Sequence, residues 1–220
     1  MKHVFLLVGA RPNFIKVAPL HRALAARGVA ATLVHTGQHY DAKMSDVFFK
    51  ELGIPAPDHN LAIGPGDRIT QTKKIVDALI PLLSSNHPDA LVVFGDVTST
   101  AAGAMAGVVA GVKVVHVEAG LRSFNWRMPE ELNRMIADHH SDLLFVTEPV
   151  GMENLKNESI PLERAHLVGN VMIDSLRAIE SRTGTSTIAS NLGVAPRGYA
   201  LLTLHRPESV DDPAVMKYAW

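Results

Sequence analysis

Val4-Phe-Leu-Leu-Val8, running into Gly9-Ala-Arg-Pro12, decides how this chain is read. Five successive apolar residues, partly β-branched and ended by a glycine, make a strand buried on both faces, and such strands belong to parallel sheets. A helical pattern follows from Phe14 to about Arg27, with Phe14, Val17, Ala18, Leu20 and Leu24 on one stripe, and then a strand over 31–35. Further apolar strands are expected over 90–94, 112–117 and 142–146. Helical patterns separate them at 42–52, 68–84, 99–110 and 130–140. Strand alternating with helix in this rhythm predicts an α/β fold, a doubly wound, Rossmann-like parallel sheet.

Late in the chain the opening pattern returns. Tyr199-Ala-Leu-Leu-Thr-Leu204 followed by His205-Arg-Pro207 is again an apolar strand running into a turn closed by Arg-Pro. The expected organisation is a first domain over 1–175, a linker over 176–197 that is rich in Ser and Thr, and the truncated start of a second Rossmann-like domain over 198–220. That last segment holds one strand and part of a helix, whereas each βαβ unit needs about 30 residues or more. An apolar strand without its own sheet must pack, pair or move.

Composition narrows the function. The 220 residues are 47% apolar and 20% charged, with a formal net charge of −1 and no cysteine. Disulfides, thiolate catalysis and cysteine-ligated metals are therefore excluded, and a reducing, cytoplasmic setting is expected. The uncharged run over 97–112 is dominated by Ala and Gly and is shorter than the ~20 apolar residues of a membrane span. The apolar start meets Gly-Ala-Arg-Pro too soon to be a signal segment. With no basic tract, neither nucleic acid nor membrane is an expected partner. There is no Gly-x-Gly-x-x-Gly, P-loop or Gly-x-Ser-x-Gly, so dehydrogenase, NTPase and serine-hydrolase readings lose their support.

Ligands of doubly wound sheets bind outside the carboxyl ends of the strands, near the point where strand order reverses. The polar residues placed there are Arg11, Asn13 and Lys16 after the first strand, Asp96 after the strand over 90–94, and Glu118 and Arg122 after the strand over 112–117. Glu130 opens the next helix. Three carboxylates and two or three cations on one crevice suit acid/base chemistry on an anionic substrate, with Arg11 and the helix N-terminus at Asn13 offered to a phosphate. Asp96 is also placed to cap the following helix, and Glu130 to pair with Arg134 one turn on; both readings stay open. Leu132, Met135, Ile136, His139 and His140 share one helical face and are read as a core edge rather than metal ligands. His35 and His39 are four apart across Gly37, which breaks any helix, so no metal site is expected.

Six motifs then point to a family. Gly9-Ala-Arg-Pro-Asn-Phe-Ile-Lys16, Thr36-Gly-Gln-His-Tyr-Asp41, Gly95-Asp-Val-Thr-Ser-Thr100, His116-Val-Glu-Ala-Gly-Leu-Arg-Ser123, Pro129-Glu-Glu-Leu-Asn-Arg134 and His205-Arg-Pro-Glu208 resemble, in order, those of non-hydrolysing UDP-N-acetylglucosamine 2-epimerases. The resemblance implies the N-terminal half of a glycosyltransferase-B-like pair of domains. It implies reversible conversion of UDP-GlcNAc to UDP-ManNAc, by elimination of UDP to 2-acetamidoglucal and re-addition, for bacterial surface polysaccharides. No metal or other cofactor is implied. Carried over by motif, Asp96, Glu118 and Glu130 match the acid/base carboxylates, and Arg11, Lys16 and His205 match groups on the diphosphate and nucleotide side. Gln38, His39 and Arg68 fall where some members bind a second, activating UDP-GlcNAc. The first motif has Asn13 where many members have Glu. Partners implied are UDP-GlcNAc, UDP-ManNAc and UDP, with a homodimer expected. A glycosyltransferase of the same fold and a non-catalytic nucleotide-sugar-binding fragment are the alternatives.

Overall fold

The computed structural model describes residues 2–37, 49, 51–195, 197–204 and 210–217. Two compact units emerge, Met1–Ile179 and Glu180–Trp220. The first carries β1 (His3–Val8), α1 (Arg11–Ala26), β2 (Ala30–His35), β3 (His59–Asn60), α2 (Arg68–Asn86), β4 (Ala90–Phe94), α3 (Thr98–Val109), β5 (Val114–Ala119), α4 (Pro129–His140), β6 (Leu143–Val146), α5 (Pro149–Asn157) and β7 (Ala165–Leu167). A further helix, α6, spans Val171–Thr183. The strands form one sheet in the order β3-β2-β1-β4-β5-β6-β7, parallel at every pairing. The predicted doubly wound fold is the one observed.

Alternation along the central strands builds two cores. Val4, Leu6 and Val8 of β1 point to one face, where Phe14 and Val17 of α1 and Val171 of α6 cover them. Phe5 and Leu7 point to the other, against Leu79 and Leu83 of α2, Ala104 and Ala106 of α3 and Ala137 of α4. Both faces of β1 and β4 are therefore dry, which is why these strands read as unbroken apolar runs rather than alternating ones. Small residues let α3 lie close to the sheet: Ala102, Ala104 and Ala106 are fully buried. Asp67 caps α2 by accepting from the Thr70 N–H at 3.0 Å.

Several expectations are corrected. The strand expected over 112–117 is shifted to Val114–Ala119. Gly111, at φ 69°, and Val112 instead close the end of α3, the Val112 N–H donating to the Gly107 carbonyl. Glu118 thus lies within β5 rather than beyond it. Helix α6 continues to Thr183 through the stretch read as linker, and Ser175 anchors it by donating to the Ile15 carbonyl at 2.5 Å. On α4 the expected core face is inverted. Leu132 is 55% exposed, whereas Glu131, Ala137 and Asp138 face inward. Leu132 and Ile136 line an apolar groove with Ile69 and Met105 instead.

The second unit carries α7 (Ile188–Asn191) and α8 (Pro213–Lys217). The expected strand at Tyr199–Leu204 has no strand partner among the described residues, and Tyr199, Leu201 and Leu202 are exposed. A strand exists only against a neighbour that takes up its backbone groups.

Candidate active site

Strand order reverses between β1 and β4, and the loops after β1, β4 and β5 share that edge of the sheet. Glu118 is the most constrained residue there. Its φ is 78°, a left-handed conformation that costs a non-glycine residue about 1–3 kcal/mol and persists only where the surroundings impose it. The strain coincides with a shift in the β5–β6 register between Val117 and Ala119, and such bulges re-aim a side chain. Glu118 Oε2 pairs with the Nζ of Lys16, whose side chain is only 6% exposed. Lys16 reaches it from the second turn of α1. Gly95, at φ 64°, completes the contact. A Cβ there would lie 2.6 Å from Lys16 Nζ and 3.1 Å from Glu118 Oε2.

Asp96 does not cap α3, whose N-cap is Val97 without a side-chain bond. Its Oδ2 accepts from Arg134 Nη2 at 2.5 Å, and its carbonyl accepts from the Asn133 side chain at 2.8 Å. Of the two readings open for Glu130, the pair with Arg134 does not form. Arg134 turns to Asp96 and to Glu131, the latter at 2.9 Å. Glu131 also accepts from the Ser123 N–H and hydroxyl and from the Phe124 N–H, pinning the loop between β5 and α4. Burial alone would raise its pKa, but the donors from Ser123, Phe124 and Arg134 outweigh it and hold the carboxyl below the usual range. Glu130 is half-buried, and no ion pair engages it among the described residues. With Asp96, Arg68, Gln71 and Thr98 it lines a cleft of about 380 Å³.

Beneath these groups lies a buried network that no local sequence pattern signals. His116 is fully buried, its Nδ1 2.7 Å from Asp138 Oδ1 and its Nε2 2.7 Å from the Gly95 carbonyl. Asp138 Oδ2 accepts from the Gly120 N–H at 3.1 Å and from Arg122 Nη1 at 2.8 Å. Burial opposes the charge on Asp138, yet His116 and Arg122 hold its pKa below the ordinary carboxylate value. Three segments that carry the candidate carboxylates are thereby tied together: the loop after β4, β5 and α4.

Not every expected residue reaches the crevice. The Arg122 side chain is 1% exposed, held by Asp138, both oxygens of Glu158 and the Leu121 carbonyl. Burial works against its charge, and Glu158 and Asp138 outweigh burial, raising its pKa. It braces the network and has no face toward a ligand. Asn13 Oδ1 accepts from the Gly9 and Ala10 N–H groups, its Nδ2 donates to the Phe94 carbonyl, and its own N–H donates to the Ala10 carbonyl. The Gly9, Ala10 and Asn13 N–H groups are thereby spent on closing the β1–α1 turn. Arg11 begins α1 and is exposed. Gln38, His39 and His205 lie outside the described residues. Among the described residues no three His, Cys, Asp or Glu side chains are grouped as a metal site.

Comparison with known proteins shows the family. A family model described as UDP-N-acetylglucosamine 2-epimerase matches residues 22–220. A UDP-N-acetylglucosamine 2-epimerase homolog of Methanococcus maripaludis is 43% identical over 94% of this chain and 58% of its own length. A UDP-2,3-diacetamido-2,3-dideoxy-D-glucuronate 2-epimerase of Pseudomonas aeruginosa is 42% identical over 96% and 59%. The crystal structure of the Methanocaldococcus jannaschii UDP-GlcNAc 2-epimerase in complex with UDP-GlcNAc and UDP superposes with a TM-score of 0.88, at 37% identity, over 100% of this chain and 60% of that one. The chain thus spans about three-fifths of the length of these relatives.

Proposed function

The chain belongs to the UDP-N-acetylglucosamine 2-epimerase family, and from that premise we propose that it carries the acid/base groups of an enzyme that inverts C2 of UDP-linked 2-acetamido sugars, with UDP-GlcNAc and UDP-ManNAc as the pair interconverted. The C2 proton has no adjacent carbonyl and is poorly acidic. A carboxylate removes it as the C1–O bond to UDP breaks, giving a C1=C2 double bond and free UDP. Re-addition of UDP at C1, with a proton delivered to the opposite face of C2, gives the epimer. Such chemistry needs carboxylates placed around one carbon and cations near the departing diphosphate. Asp96, Glu118 and Glu130 are the candidates for the first role, Lys16, Arg11 and His205 for the second. The observation that carries the reading is Glu118, strained and paired with a nearly buried Lys16 at the sheet's switch point. Backbone strain of this kind clusters at functional sites.

The test is incubation with UDP-GlcNAc in D2O, following deuterium at C2 and UDP-ManNAc by proton NMR. Because the chain covers three-fifths of its relatives, slow turnover with measurable UDP binding is expected. Deuterium incorporation that survives unchanged in Glu118→Gln would refute the assignment. No helix among the described residues is long and apolar enough to cross a membrane, and a cytoplasmic setting is part of the proposal. So is the homodimer, which sedimentation as a single 23.8 kDa species would rule out.

A further inference from the structure

His116 lies buried within β5, and oxygens face both of its ring nitrogens. Nδ1 is 2.7 Å from Asp138 Oδ1 and Nε2 is 2.7 Å from the Gly95 carbonyl oxygen. A carbonyl and a carboxylate only accept, whereas a neutral imidazole has one N–H and one lone pair and would set that lone pair against an oxygen. Only the imidazolium donates in both directions. Burial opposes the charge on Asp138, but His116 and Arg122 outweigh it and keep the group a carboxylate, so the proton between ring and carboxylate belongs to the ring. His116 and Arg122 share Asp138, and Arg122 spans on to both oxygens of Glu158. Each buried charge thus faces an opposite one, the condition under which charge is tolerated away from water.

The ring grips the one residue between β4 and Asp96. Gly95 donates its N–H to the Val117 carbonyl at 2.9 Å and offers its own carbonyl to His116 Nε2. Both ends of this left-handed glycine, at φ 64°, are therefore fastened to β5, at the two residues that precede Glu118. Asp96 follows Gly95 directly and Glu118 follows Val117 directly, so one clamp sets the two carboxylate-bearing residues against each other. A bond from a charged donor is roughly twice as strong as a neutral one, which suits a clamp that must hold a backbone pivot. We propose that His116 is an imidazolium and a positioning residue for the chemistry at C2, its bond to the Gly95 carbonyl fixing the direction from which Asp96 meets the substrate beside Glu118. The chemistry rests on the 2-epimerase reading above, while the charge rests on the hydrogen bonds alone.

Nuclear magnetic resonance of the isotope-labelled 220-residue chain tests the charge. At about pH 7.5, where a free histidine ring is mostly neutral, both ring nitrogens of His116 should carry a proton, and a bare ring nitrogen overturns the proposal. Two variants test the positioning. His116→Gln places an amide N–H at about the reach of Nε2 and can keep the bond to Gly95, whereas His116→Asn reaches only as far as Nδ1 and can keep the contact with Asp138. Both lose the ring charge, so both should melt below the unaltered chain. The carboxyl carbon signal of Asp96 should hold in the Gln variant and move in the Asn variant. Deuterium incorporation at C2 of UDP-GlcNAc in D2O should follow it, largely kept with Gln and about a hundredfold slower with Asn, the cost of a misplacement of about 1 Å. A merely structural ring would make the two variants alike, and equal effects on the Asp96 signal overturn the proposal. If the Asn variant does not fold, a shifted Asp96 signal in the Gln variant overturns it alone. Absence of deuterium incorporation in the unaltered chain counts against the 2-epimerase reading instead, and the ring protons and the Asp96 signal, which need no substrate, still decide on His116.

Discussion

Replacing Gly95 with alanine tests how tightly the Lys16–Glu118 pair is built into the fold. Two costs add. The first is backbone: Gly95 sits at φ 64°, and an L-residue in the left-handed region loses roughly 1–2 kcal/mol. The second is contact. The new Cβ would stand 2.6 Å from Lys16 Nζ, inside any allowed approach, so the ammonium must withdraw from Glu118 within a site where the two side chains are only 6% and 14% exposed. Opening a buried pair costs about 3–5 kcal/mol, and a flexible lysine arm recovers part of that. We therefore expect Gly95→Ala to cost about 2 kcal/mol more than a glycine that bears the backbone term alone. Gly28 and Gly111 supply that control: they have φ 68° and 69°, and a Cβ added to either would meet nothing within 4 Å. The measurement is urea unfolding of the three variants, with stability taken from midpoint and slope. In a Lys16→Ala background the excess should vanish, since no ammonium is left to meet. A Gly95→Ala variant within about 0.5 kcal/mol of Gly111→Ala, the usual limit of additivity, would show that the pair is not held as described.

Other outcomes follow from the same geometry. Asp138→Asn removes the charge that faces His116 and Arg122 and one of the two oxygens that accept from His116, Arg122 and Gly120, and should cost about 3–5 kcal/mol at pH 7. Because the folded pKa of Asp138 is depressed, its stabilisation is present above the unfolded carboxylate value of about 4 and is lost as pH falls through the lower folded one; unfolding free energy measured from pH 6 to pH 2 should fall less steeply in the variant. Adjacent glutamates should behave oppositely. Glu131→Gln should speed amide exchange at Ser123 and Phe124 by about tenfold, whereas Glu130→Gln should leave those amides and the melting temperature alone, and equal effects would contradict the contacts. Leu79→Ala, fully buried, should cost about 2–5 kcal/mol, while Leu132→Ala, 55% exposed, should stay within about 0.5 kcal/mol.

The sheet was legible wherever burial was symmetric. β1 and β4, dry on both faces, announce themselves as apolar runs, and Asp96 and Glu118 are found by looking just past such runs. β3 and β7, with two and three residues, are too short for any periodicity to register. Apolar pattern without a pairing partner misleads in the other direction, as Tyr199–Leu204 does. A strand's start is set by what the preceding helix needs: Gly107 accepts from Val112, which keeps Val112 out of β5, and pairing of Ala119 with Val146 carries the strand past Glu118.

Helix α4 shows why the rest of the site could not be read. Hydrophobic periodicity finds the buried face of a helix because burying charge is ordinarily costly. Here the inner face is Glu131, Arg134 and Asp138, and its charges are matched by partners between 7 and 38 residues away: Phe124, Ser123, Arg122, His116 and Asp96. No local pattern encodes partners at those separations, so the periodicity rule selects Leu132 and Ile136 and places the wrong face inward. The same ambiguity decides Arg134. Glu130 at i−4 and Glu131 at i−3 are equally good helical neighbours by spacing, and the sequence has no means of choosing between them. The choice falls to Ser123 and Phe124, whose backbone N–H groups need an acceptor and take the Glu131 carboxylate inward. Arg134 follows it and gains Asp96, and Glu130 is left facing the cleft, which is the condition for a carboxylate to work on a substrate rather than on its own fold.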